Sequence, residues 1–341
     1  MTNPHQHHPL EKILENRIGI IDGAIGTTIR TYGMTEADIR RERFNNWTKD
    51  LLNNGDLFSL TQPQLIGDIH RRFLEAGADI IETNTFGATS ITQSEFFGED
   101  PREHGGRKDP EFYQKIIDDP MLNSLAWEIN EQSAKECREW ADRVGTATGR
   151  QRFVAGAIGL LAVSLSNSPD ADDAGFRVAT FDQIRTAYKQ QVRALVAGGS
   201  DLLLVETIFD SLNAKAALIA IREVFDEGGK ELPVMISAAV GRSRRLPSPK
   251  ARRGTDTSDR GRAVGLNCSC YPNAGLPNPL SETGFDLGPA DMARYLGEFA
   301  HGGLINIAGG CCGNTPEHIA AIANALEGKP PRSLSYREVA A

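Results

Sequence analysis

A pair of adjacent cysteines between glycines, near the C-terminus, has the clearest chemical potential in this chain. The segment reads Gly309-Gly310-Cys311-Cys312-Gly313. Neighbouring cysteines do not easily reach disulfide geometry, but they suit a metal ion as a pair of ligands. The apolar run 304–308 before them reads as a buried strand, and Thr315 followed by Pro316 is typical of a helix start. The thiols are therefore predicted to lie after a strand and before the next helix.

A third cysteine is predicted to have the same kind of position. The run Ala263-Val264-Gly265-Leu266-Asn267 reads as a strand that ends in Cys268. Three thiolates, from Cys268, Cys311 and Cys312, leave one open position on a tetrahedral Zn²⁺, which is typical of a catalytic zinc site. Cys270 could substitute for Cys268 as a ligand. The alternative interpretation is that these cysteines are small buried apolar side chains.

Three carboxylates form a second group, because each comes directly after an apolar, β-rich run. They are Asp22, Glu82 and Glu206. The carboxyl ends of barrel strands meet at one end of the barrel, so the carboxylates are predicted to converge with the thiols. Negative charges there suit an ammonium group, and Gly23 with its neighbours offers backbone N–H donors for a carboxylate. The group indicates an amino-acid ligand, although each carboxylate alone could be a helix N-terminal charge.

Short apolar runs alternate with longer amphipathic stretches along the chain. The predicted strands are 18–21, 79–81, 153–158, 202–205 and 232–236. The predicted helices include 62–76, 122–143, 180–197 and 211–227. The strands are nearly continuously apolar, which indicates parallel sheet with both faces buried. The repeated strand–helix order predicts an α/β protein with a (β/α)₈ barrel of the TIM type.

Composition narrows the classes of function. The chain has 341 residues, is 40% hydrophobic and carries a net charge of −8, which allows a large core and argues against nucleic-acid binding. Its five cysteines, an odd number, do not look like a secreted disulfide framework. The sequence shows no apolar run of membrane-spanning length and no signal-peptide pattern. We therefore expect a cytoplasmic protein with no membrane partner.

The segments that carry the chemistry, together with several others, resemble one protein family. The chemical segments are Asp22-Gly23-Ala24-Ile25-Gly26-Thr27, Glu82-Thr83-Asn84-Thr85-Phe86, Glu206-Thr207, Gly265-Leu266-Asn267-Cys268 and Gly309-Gly310-Cys311-Cys312-Gly313. The others are Glu42-Arg43-Phe44-Asn45-Asn46-Trp47, Asn54-Gly55-Asp56-Leu57, Leu60-Thr61-Gln62-Pro63, Phe209-Asp210-Ser211-Leu212-Asn213-Ala214-Lys215 and Pro272-Asn273-Ala274-Gly275-Leu276-Pro277-Asn278. Over about residues 17–332 the chain resembles the homocysteine S-methyltransferase family. Within it, the chain is most similar to the N-terminal homocysteine-binding module of cobalamin-dependent methionine synthase.

The resemblance implies a site and its ligands. Zn²⁺ would be bound by Cys268, Cys311 and Cys312. Homocysteine would be bound by Asp22, Gly23, Glu82, Thr85, Glu206 and Asn273. Its thiolate, activated by zinc, would attack a methyl donor and give methionine. By the same resemblance the donor is methylcobalamin held on another module or chain, and cobalamin- and folate-binding modules or proteins are the expected partners. Betaine and S-methylmethionine are the alternative donors.

The resemblance also implies the domain organisation. Residues 1–332 would form the homocysteine-binding barrel, with a surface insertion at about 99–120, and residues 333–341 a C-terminal tail. The stretch 242–262 is rich in Lys and Arg and reads as an irregular basic loop, with nucleic-acid binding as the alternative.

One βα unit is predicted to be missing from this barrel. In the family that the chain resembles, a helix and a further strand lie between the Cys268 segment and the segment Tyr271-Pro272-Asn273. Here only Ser269 and Cys270 separate them, whereas a crossover between parallel strands needs about a dozen residues or more. The barrel is therefore expected to be irregular or incomplete around strands six and seven. This shortening supports a second hypothesis, a catalytically impaired barrel remnant with a structural or binding role.

Overall fold

The structure is a computed structural model that describes residues 8–228, 230–238, 267–281 and 284–334. The strands in these residues are β1 (Gly19–Ile20), β2 (Ile80–Glu82), β3 (Phe153–Ile158), β4 (Leu202–Ile208), β5 (Val234–Ala238), β6 (Ser269–Cys270) and β7 (Ile307–Ala308). The first six helices are α1 (Pro9–Asn16), α2 (Ile25–Thr31), α3 (Glu36–Arg40), α4 (Phe58–Thr61), α5 (Pro63–Glu75) and α6 (Ser90–Phe97). The others are α7 (Pro110–Asp118), α8 (Pro120–Thr148), α9 (Phe181–Ala197), α10 (Ser211–Asp226), α11 (Pro289–His301) and α12 (Pro316–Leu326). Strands and helices alternate along the chain as the sequence predicts.

The chain divides into two compact units. The first comprises Met1–Thr28, Arg72–Ile80 and Val240–Ala341, and the second Ile29–Arg71 and Ile81–Ala239. The division passes through α5 and through β2.

The first unit contains a parallel three-stranded sheet in the order β1-β7-β6. β1 is in register with β7, so that Gly19 lies opposite Ile307 and Ile20 opposite Ala308. Helices α11 and α12 pack against each other in the same unit. The predicted start of α12 is confirmed, since Thr315 is its N-cap and a proline occupies the first turn.

The second unit is built on a parallel four-stranded sheet in the order β2-β3-β4-β5. All six residues of β3 and the first five of β4 are buried, as expected for strands covered on both faces. Helices α8 and α9 pack on β3, and α10 packs on β4. The sequence places apolar residues on the inner faces of these helices at helical spacing, which is why they bury against the sheet.

Strand β5 differs from its prediction as a fully buried strand. Its alternate residues Val234, Ile236 and Ala238 are exposed, and Ile236 is 54% exposed. β5 is last in the strand order of its sheet, and among the described residues no strand pairs with its outer edge. An apolar sequence predicts a strand but does not tell whether other elements cover it.

The prediction of an α/β protein with parallel sheet is confirmed. The prediction of one eight-stranded barrel is not, because the described residues form two parallel sheets of three and four strands and no closed barrel. The expected insertion at about 99–120 contains a short 3₁₀ helix, Pro101–His104, and α7. The basic stretch 242–262, the predicted strand residues 263–266 and the tail from 335 lie outside the described residues. None of the helices described is long and apolar enough to cross a membrane.

Candidate functional site

The cysteine pair lies in a short loop between β7 and α12, and hydrogen bonds fix this loop. The Cys311 N–H donates to the Pro272 carbonyl oxygen at 3.0 Å, and the Ala274 N–H donates to the Cys312 carbonyl oxygen at 2.9 Å. The buried Asn314 amide donates to the carbonyl oxygens of Pro272 and Cys311, each at 3.0 Å. Both thiols are half-buried. The loop is therefore held against the segment 272–274, with the two thiols side by side.

Glycines allow the backbone of this loop to approach β1. A Cβ atom on Gly309 would lie 2.3 Å from the Ile21 carbonyl oxygen, and one on Gly23 would lie 2.4 Å from the Asn314 carbonyl oxygen. Such contacts are far below van der Waals distance, so a side chain at either position would force the segments apart. Gly23 is thus explained by close packing, whereas its predicted contact with a substrate carboxylate stays a prediction.

The geometry of the pair fits two ligands of one zinc ion. The Sγ atoms of Cys311 and Cys312 are 3.9 Å apart. Zinc–sulfur bonds of about 2.3 Å at tetrahedral angles place two thiolates about 3.8 Å apart. Among the residues that the structure describes, however, no three His, Cys, Asp or Glu side chains are gathered as a metal site. The pair can therefore fill two positions of a tetrahedral zinc ion, and a complete ligand set needs a further side chain to approach it.

The two other cysteines of this unit belong to one extended segment. Cys270 is the last residue of β6 and pairs with Ala308 of β7. Cys268 precedes β6; its N–H donates to the Asn306 side chain at 2.9 Å and its carbonyl accepts from the Asn306 N–H at 2.8 Å. Burial raises the pKa of the Cys270 thiol to about 11, and the neighbouring Cys268 adds to the shift. Cys268 lies at the amino end of β6, and its role as a ligand stays a prediction.

Asp22 and Asn273, two predicted substrate residues, lie beside the cysteine loop. Asp22 is 1% exposed; its N–H donates to the Ile80 carbonyl at 3.0 Å and its carbonyl accepts from the Gly310 N–H at 3.3 Å. Asn273 is exposed and stands between Pro272 and Ala274, the two residues that bond the cysteine backbone. The first unit thus places a buried aspartate and an exposed asparagine in segments whose main chain is hydrogen-bonded to the cysteine loop.

The second unit holds Thr85 in a closed ring of hydrogen bonds. The Ala157 N–H donates to Thr83 Oγ1 at 2.9 Å, and the two threonine hydroxyls lie 2.7 Å apart. Thr85 Oγ1 then donates to the Ala157 carbonyl oxygen at 2.7 Å. Each hydroxyl donates once and accepts once, and both side chains are buried. Thr85 therefore fastens the segment after β2 to β3, and its predicted role with substrate stays a prediction.

Glu82 is half-buried at the end of β2, and its backbone is held by a buried cysteine–histidine pair. The Cys137 thiol donates to the Glu82 carbonyl at 3.4 Å and lies 3.1 Å from His70 Nε2. Burial lowers the pKa of His70 to about 4, so the imidazole is neutral at pH 7. Cys137 lies in helix α8 and is fully buried in the core.

Glu206 lies in an irregular part of β4. The register with β5 shifts between Val205 and Ile208, because β4 has one residue more than β5 there. Thr207, directly after Glu206, has a φ of 55°, a left-handed conformation that is uncommon for a β-branched residue. Bulges and strained backbone are frequent at functional sites. Glu206 is 6% exposed and lines a small cavity of about 20 Å³ with Tyr188 and Asp210.

Asp210 is a buried residue to which the sequence assigned no role. It is the N-cap of α10 and accepts the N–H groups of Leu212 and Asn213. It also accepts the hydroxyls of Ser164 and Ser166 and the Ser166 N–H. Although burial acts to raise the pKa of Asp210, these hydrogen bonds lower it below its ordinary value. The sequence predicted a helix from Ser211, directly after Asp210, but it predicted neither the cap nor the bonds to the two serines.

Asp56 is a second buried carboxyl without an assigned role. Its side chain accepts the Gly87 N–H at 3.0 Å in the loop after β2. Burial raises its pKa to about 7, and the Gly87 hydrogen bond opposes the shift only in part. Asp56 lies in the segment Asn54-Gly55-Asp56-Leu57, which resembles the family, but the sequence does not predict that its carboxyl group is buried.

Comparison with known proteins finds a family model and solved structures that are similar to this chain. A family model described as homocysteine S-methyltransferase matches residues 19–269 and 262–326. Among solved structures, the oxidized form of the homocysteine methyltransferase MmuM from Escherichia coli has a TM-score of 0.60 at 17% identity, covering 93% of this chain and 99% of that one. The metallated form of the same enzyme has a TM-score of 0.56 at 18% identity, covering 93% and 99%. At these identities the likeness shows a shared fold.

The family model spans most of the chain, and the chain therefore belongs to the homocysteine S-methyltransferase family. The family predicted from the sequence is confirmed. The two matched segments overlap at residues 262–269, where Cys268 precedes Tyr271 by only two intervening residues.

Proposed function

We propose that this chain is a zinc-dependent homocysteine S-methyltransferase domain that forms methionine. The observation that carries the proposal is the pair of thiols from Cys311 and Cys312, whose separation of 3.9 Å suits two ligands of one zinc ion. The third thiolate would come from the segment Cys268-Ser269-Cys270, with Cys268 as the ligand predicted from sequence.

The chemistry requires a homocysteine thiolate at neutral pH, since the thiolate is the nucleophile and a thiol is mostly protonated. Zinc, when bound, would supply the positive charge that lowers the pKa of the substrate thiol. The thiol proton leaves to solvent. A sulfur lone pair then forms the new bond to the methyl carbon, and the electrons of the broken bond stay with the donor. No protein general base is needed for this step.

The chain's own residues would bind and orient the amino-acid part of homocysteine. The carboxylates of Asp22, Glu82 and Glu206 are proposed to attract its ammonium group. Gly23, Thr85 and Asn273 are proposed as further substrate residues from the resemblance. Burial of Asp22 and Glu206 strengthens this idea, because a charged partner is worth more where water is excluded.

Methylcobalamin carried on another module or chain is the proposed donor, with cobalamin- and folate-binding modules as partners. Betaine and S-methylmethionine are the competing donors. All three present a methyl group on a centre that can leave with its bonding electrons, so the thiolate chemistry does not distinguish them.

The test combines metal content with product formation. Reduced protein is expected to hold one zinc per chain and to convert homocysteine to methionine with one of the three donors, detected by mass spectrometry. The Cys311→Ala variant should lose both the metal and the activity. Zinc retained by that variant, or wild-type protein with almost no metal, would contradict the proposal.

The alternative is a catalytically impaired remnant with a structural or binding role. It is favoured by the two-residue separation of Cys268 and Tyr271, from which the missing βα unit is inferred. Product formation discriminates the two, since a remnant, with or without bound zinc, would form no methionine from homocysteine with any of the three donors, whereas an enzyme forms methionine when zinc is present.

A further inference from the structure

We propose that Asp56 is a positioning residue for homocysteine binding, because its carboxyl group fixes the main chain of the loop that follows β2. This loop comprises residues 83–89; it comes directly after Glu82 and contains Thr85, two of the proposed substrate residues. The segment Asn54-Gly55-Asp56-Leu57 resembles the family, yet the chemistry proposed above uses none of its residues. The role of Asp56 rests on the homocysteine-binding function proposed above and deepens it.

Two neighbouring residues of this segment bond directly to the loop. The Gly87 N–H donates to Asp56 Oδ2 at 3.0 Å. The Asn84 side-chain amide donates to the Gly55 carbonyl oxygen at 2.9 Å. Asn84 and Gly87 lie on either side of Thr85 and Phe86 in the chain, so these two bonds fix both ends of that dipeptide.

The peptide groups around Gly87 are held closely on more than one side. Gly87 is also fixed at its carbonyl oxygen, which accepts the Gln93 side-chain amide at 3.3 Å, while Gln93 Oε1 accepts the Asn54 amide at 2.7 Å. A Cβ atom on Gly87 would lie 2.9 Å from Asp56 Oδ2, so the carboxyl group approaches this closely only because residue 87 is a glycine. Asp56 is 8% exposed, and water does not readily replace it as the acceptor of the Gly87 N–H.

The opposite side of the loop is bonded to other elements. Thr85 Oγ1 donates to the Ala157 carbonyl oxygen at 2.7 Å, and the Thr85 carbonyl oxygen accepts the Gln191 amide at 2.9 Å. Phe86, the next residue, is 40% exposed, so hydrogen bonds rather than burial of this apolar ring fix the course of the loop. Loss of the Asp56 bond frees one side of the loop. Homocysteine then meets the binding conformation only part of the time, which lowers its apparent affinity.

The chemistry of the Asp56 carboxyl group shows which substitution should preserve its role. Burial raises the pKa of Asp56 to about 7, although the Gly87 hydrogen bond acts to lower it. The bond from Gly87 needs an acceptor oxygen and not a negative charge. Asp56→Asn supplies such an oxygen without burying a charge, whereas Asp56→Ala supplies none. The two variants therefore separate the hydrogen bond from the charge.

The experiment measures homocysteine affinity of the zinc-loaded protein by calorimetry at pH 7. We expect Asp56→Ala to bind homocysteine at least about 10-fold more weakly than wild type, because a buried N–H loses its acceptor. Asp56→Asn should bind it as tightly as wild type. Gly87→Ala tests the same bond from its other partner, since the added Cβ displaces the carboxyl group, and it should also weaken binding.

Asp201→Ala is the matched control for a loss of stability alone. Asp201 precedes β4, and its carboxylate accepts the Val154 N–H at 2.8 Å, so its removal also leaves a main-chain donor without its acceptor. It lies at the amino end of the sheet, whereas Glu206 lies toward the carboxyl end of β4. Asp201→Ala should lower stability in urea unfolding and keep the homocysteine affinity of wild type.

An Asp56→Ala affinity equal to that of wild type, or reduced only as much as in Asp201→Ala, would overturn the positioning role and leave the proposed function standing. An Asp56→Asn affinity as low as that of Asp56→Ala would overturn it as well, and if Asp56→Ala does not fold, unchanged affinity in Gly87→Ala would do so. Zinc-loaded wild-type protein that does not bind homocysteine would overturn both the positioning role and the proposed function.

Discussion

At the scale of single residues, position 309 has no room for a side chain, because its Cβ would meet the Ile21 carbonyl oxygen. We expect Gly309→Ala to lower the free energy of unfolding by about 1–3 kcal/mol, since the loop and β1 must separate. Gly26, inside helix α2, has nothing within 4 Å of its added Cβ. Gly26→Ala should therefore raise stability by roughly 0.5–1 kcal/mol through helix propensity. Urea unfolding measures both, and equal effects of the two substitutions would contradict the packing argument.

Glu206 gives a residue-scale test of substrate binding. Glu206→Gln keeps the shape of the side chain but removes its charge, so an ammonium group loses a charge-assisted hydrogen bond worth about 1.5–3 kcal/mol. This lost hydrogen-bond energy corresponds to a fall in homocysteine affinity of roughly 10-fold or more. We expect the zinc content to be unchanged. Calorimetry checks this, with the exposed Glu111→Gln as the control. Equal affinities in wild type and Glu206→Gln would show that the carboxylate has only a structural role.

The candidate site was predicted at this scale from local signals of single residues. Cysteines beside glycines, and carboxylates directly after apolar runs, stand out in the sequence, and the structure places Asp22 beside the loop of Cys311 and Cys312. The hydrogen-bond ring of Thr83 and Thr85 was not predictable. It depends on the backbone of Ala157, more than 70 residues away in the chain.

At the scale of elements, Asp210 joins the start of α10 to the loop after β3. In Asp210→Asn the amide oxygen can still cap α10, but an NH₂ group replaces the other carboxylate oxygen. Both carboxylate oxygens accept hydrogen bonds, so this NH₂ group would face a hydrogen-bond donor. We expect a loss of about 1–3 kcal/mol at pH 7, because a charged acceptor is removed from buried donors. Thermal unfolding measures it, and Asp172→Asn in the exposed part of the same loop is the control.

The difference in stability between wild type and Asp210→Asn has a predictable pH dependence. The folded state lowers the pKa of Asp210 from its ordinary value of 3.8. The stability from its carboxylate is therefore complete above about pH 4 and is lost as the pH falls through the lower, folded-state value. The stability gap between wild type and Asp210→Asn should narrow as the pH falls below 4. A gap that stays constant to pH 2 would rule out the carboxylate as its source.

The helices and strands were predictable from the sequence where residue propensity and hydrophobic pattern favour the same element. Helix α9, predicted at 180–197, spans Phe181–Ala197, and the Thr180 side chain and Gln183 form a capping box at its start. Strand β4 was predicted as 202–205 but continues to Ile208. The extension passes through the bulge at Thr207, whose left-handed backbone no residue type there signals.

At the scale of the whole molecule, the two sheets should differ in local stability. β3 and β4 have six and seven residues and are buried among helices, whereas β1, β6 and β7 have two residues each. We expect amides of Leu202–Val205 to exchange with deuterium much more slowly than those of Ser269 and Cys270, because short ladders open without unfolding the core. Hydrogen-exchange mass spectrometry decides this. Equal protection would mean that the three-stranded sheet opens only with global unfolding.

Closure of the strands was the least predictable property. Strand–helix alternation is local and was read correctly, but barrel closure needs every strand to find two neighbours. The short spacer between Cys268 and Tyr271 indicated irregularity there, and the described strands form two sheets. The exposure of Ile236 on β5 was unpredictable for a similar reason. The sequence shows which side chains a strand carries but not which other elements pack on them.

The hydroxyl ring of Thr83 and Thr85 has a consequence for how this sequence can diverge. Replacing either threonine by valine removes the hydroxyl–hydroxyl bond and one side-chain bond to the buried backbone of Ala157, so each single change is costly. After one change, the remaining hydroxyl keeps only its bond to Ala157, so the second change breaks one hydrogen bond instead of two and costs less. Positions 83 and 85 are therefore epistatic, and a lineage that loses one threonine is under less pressure to keep the other.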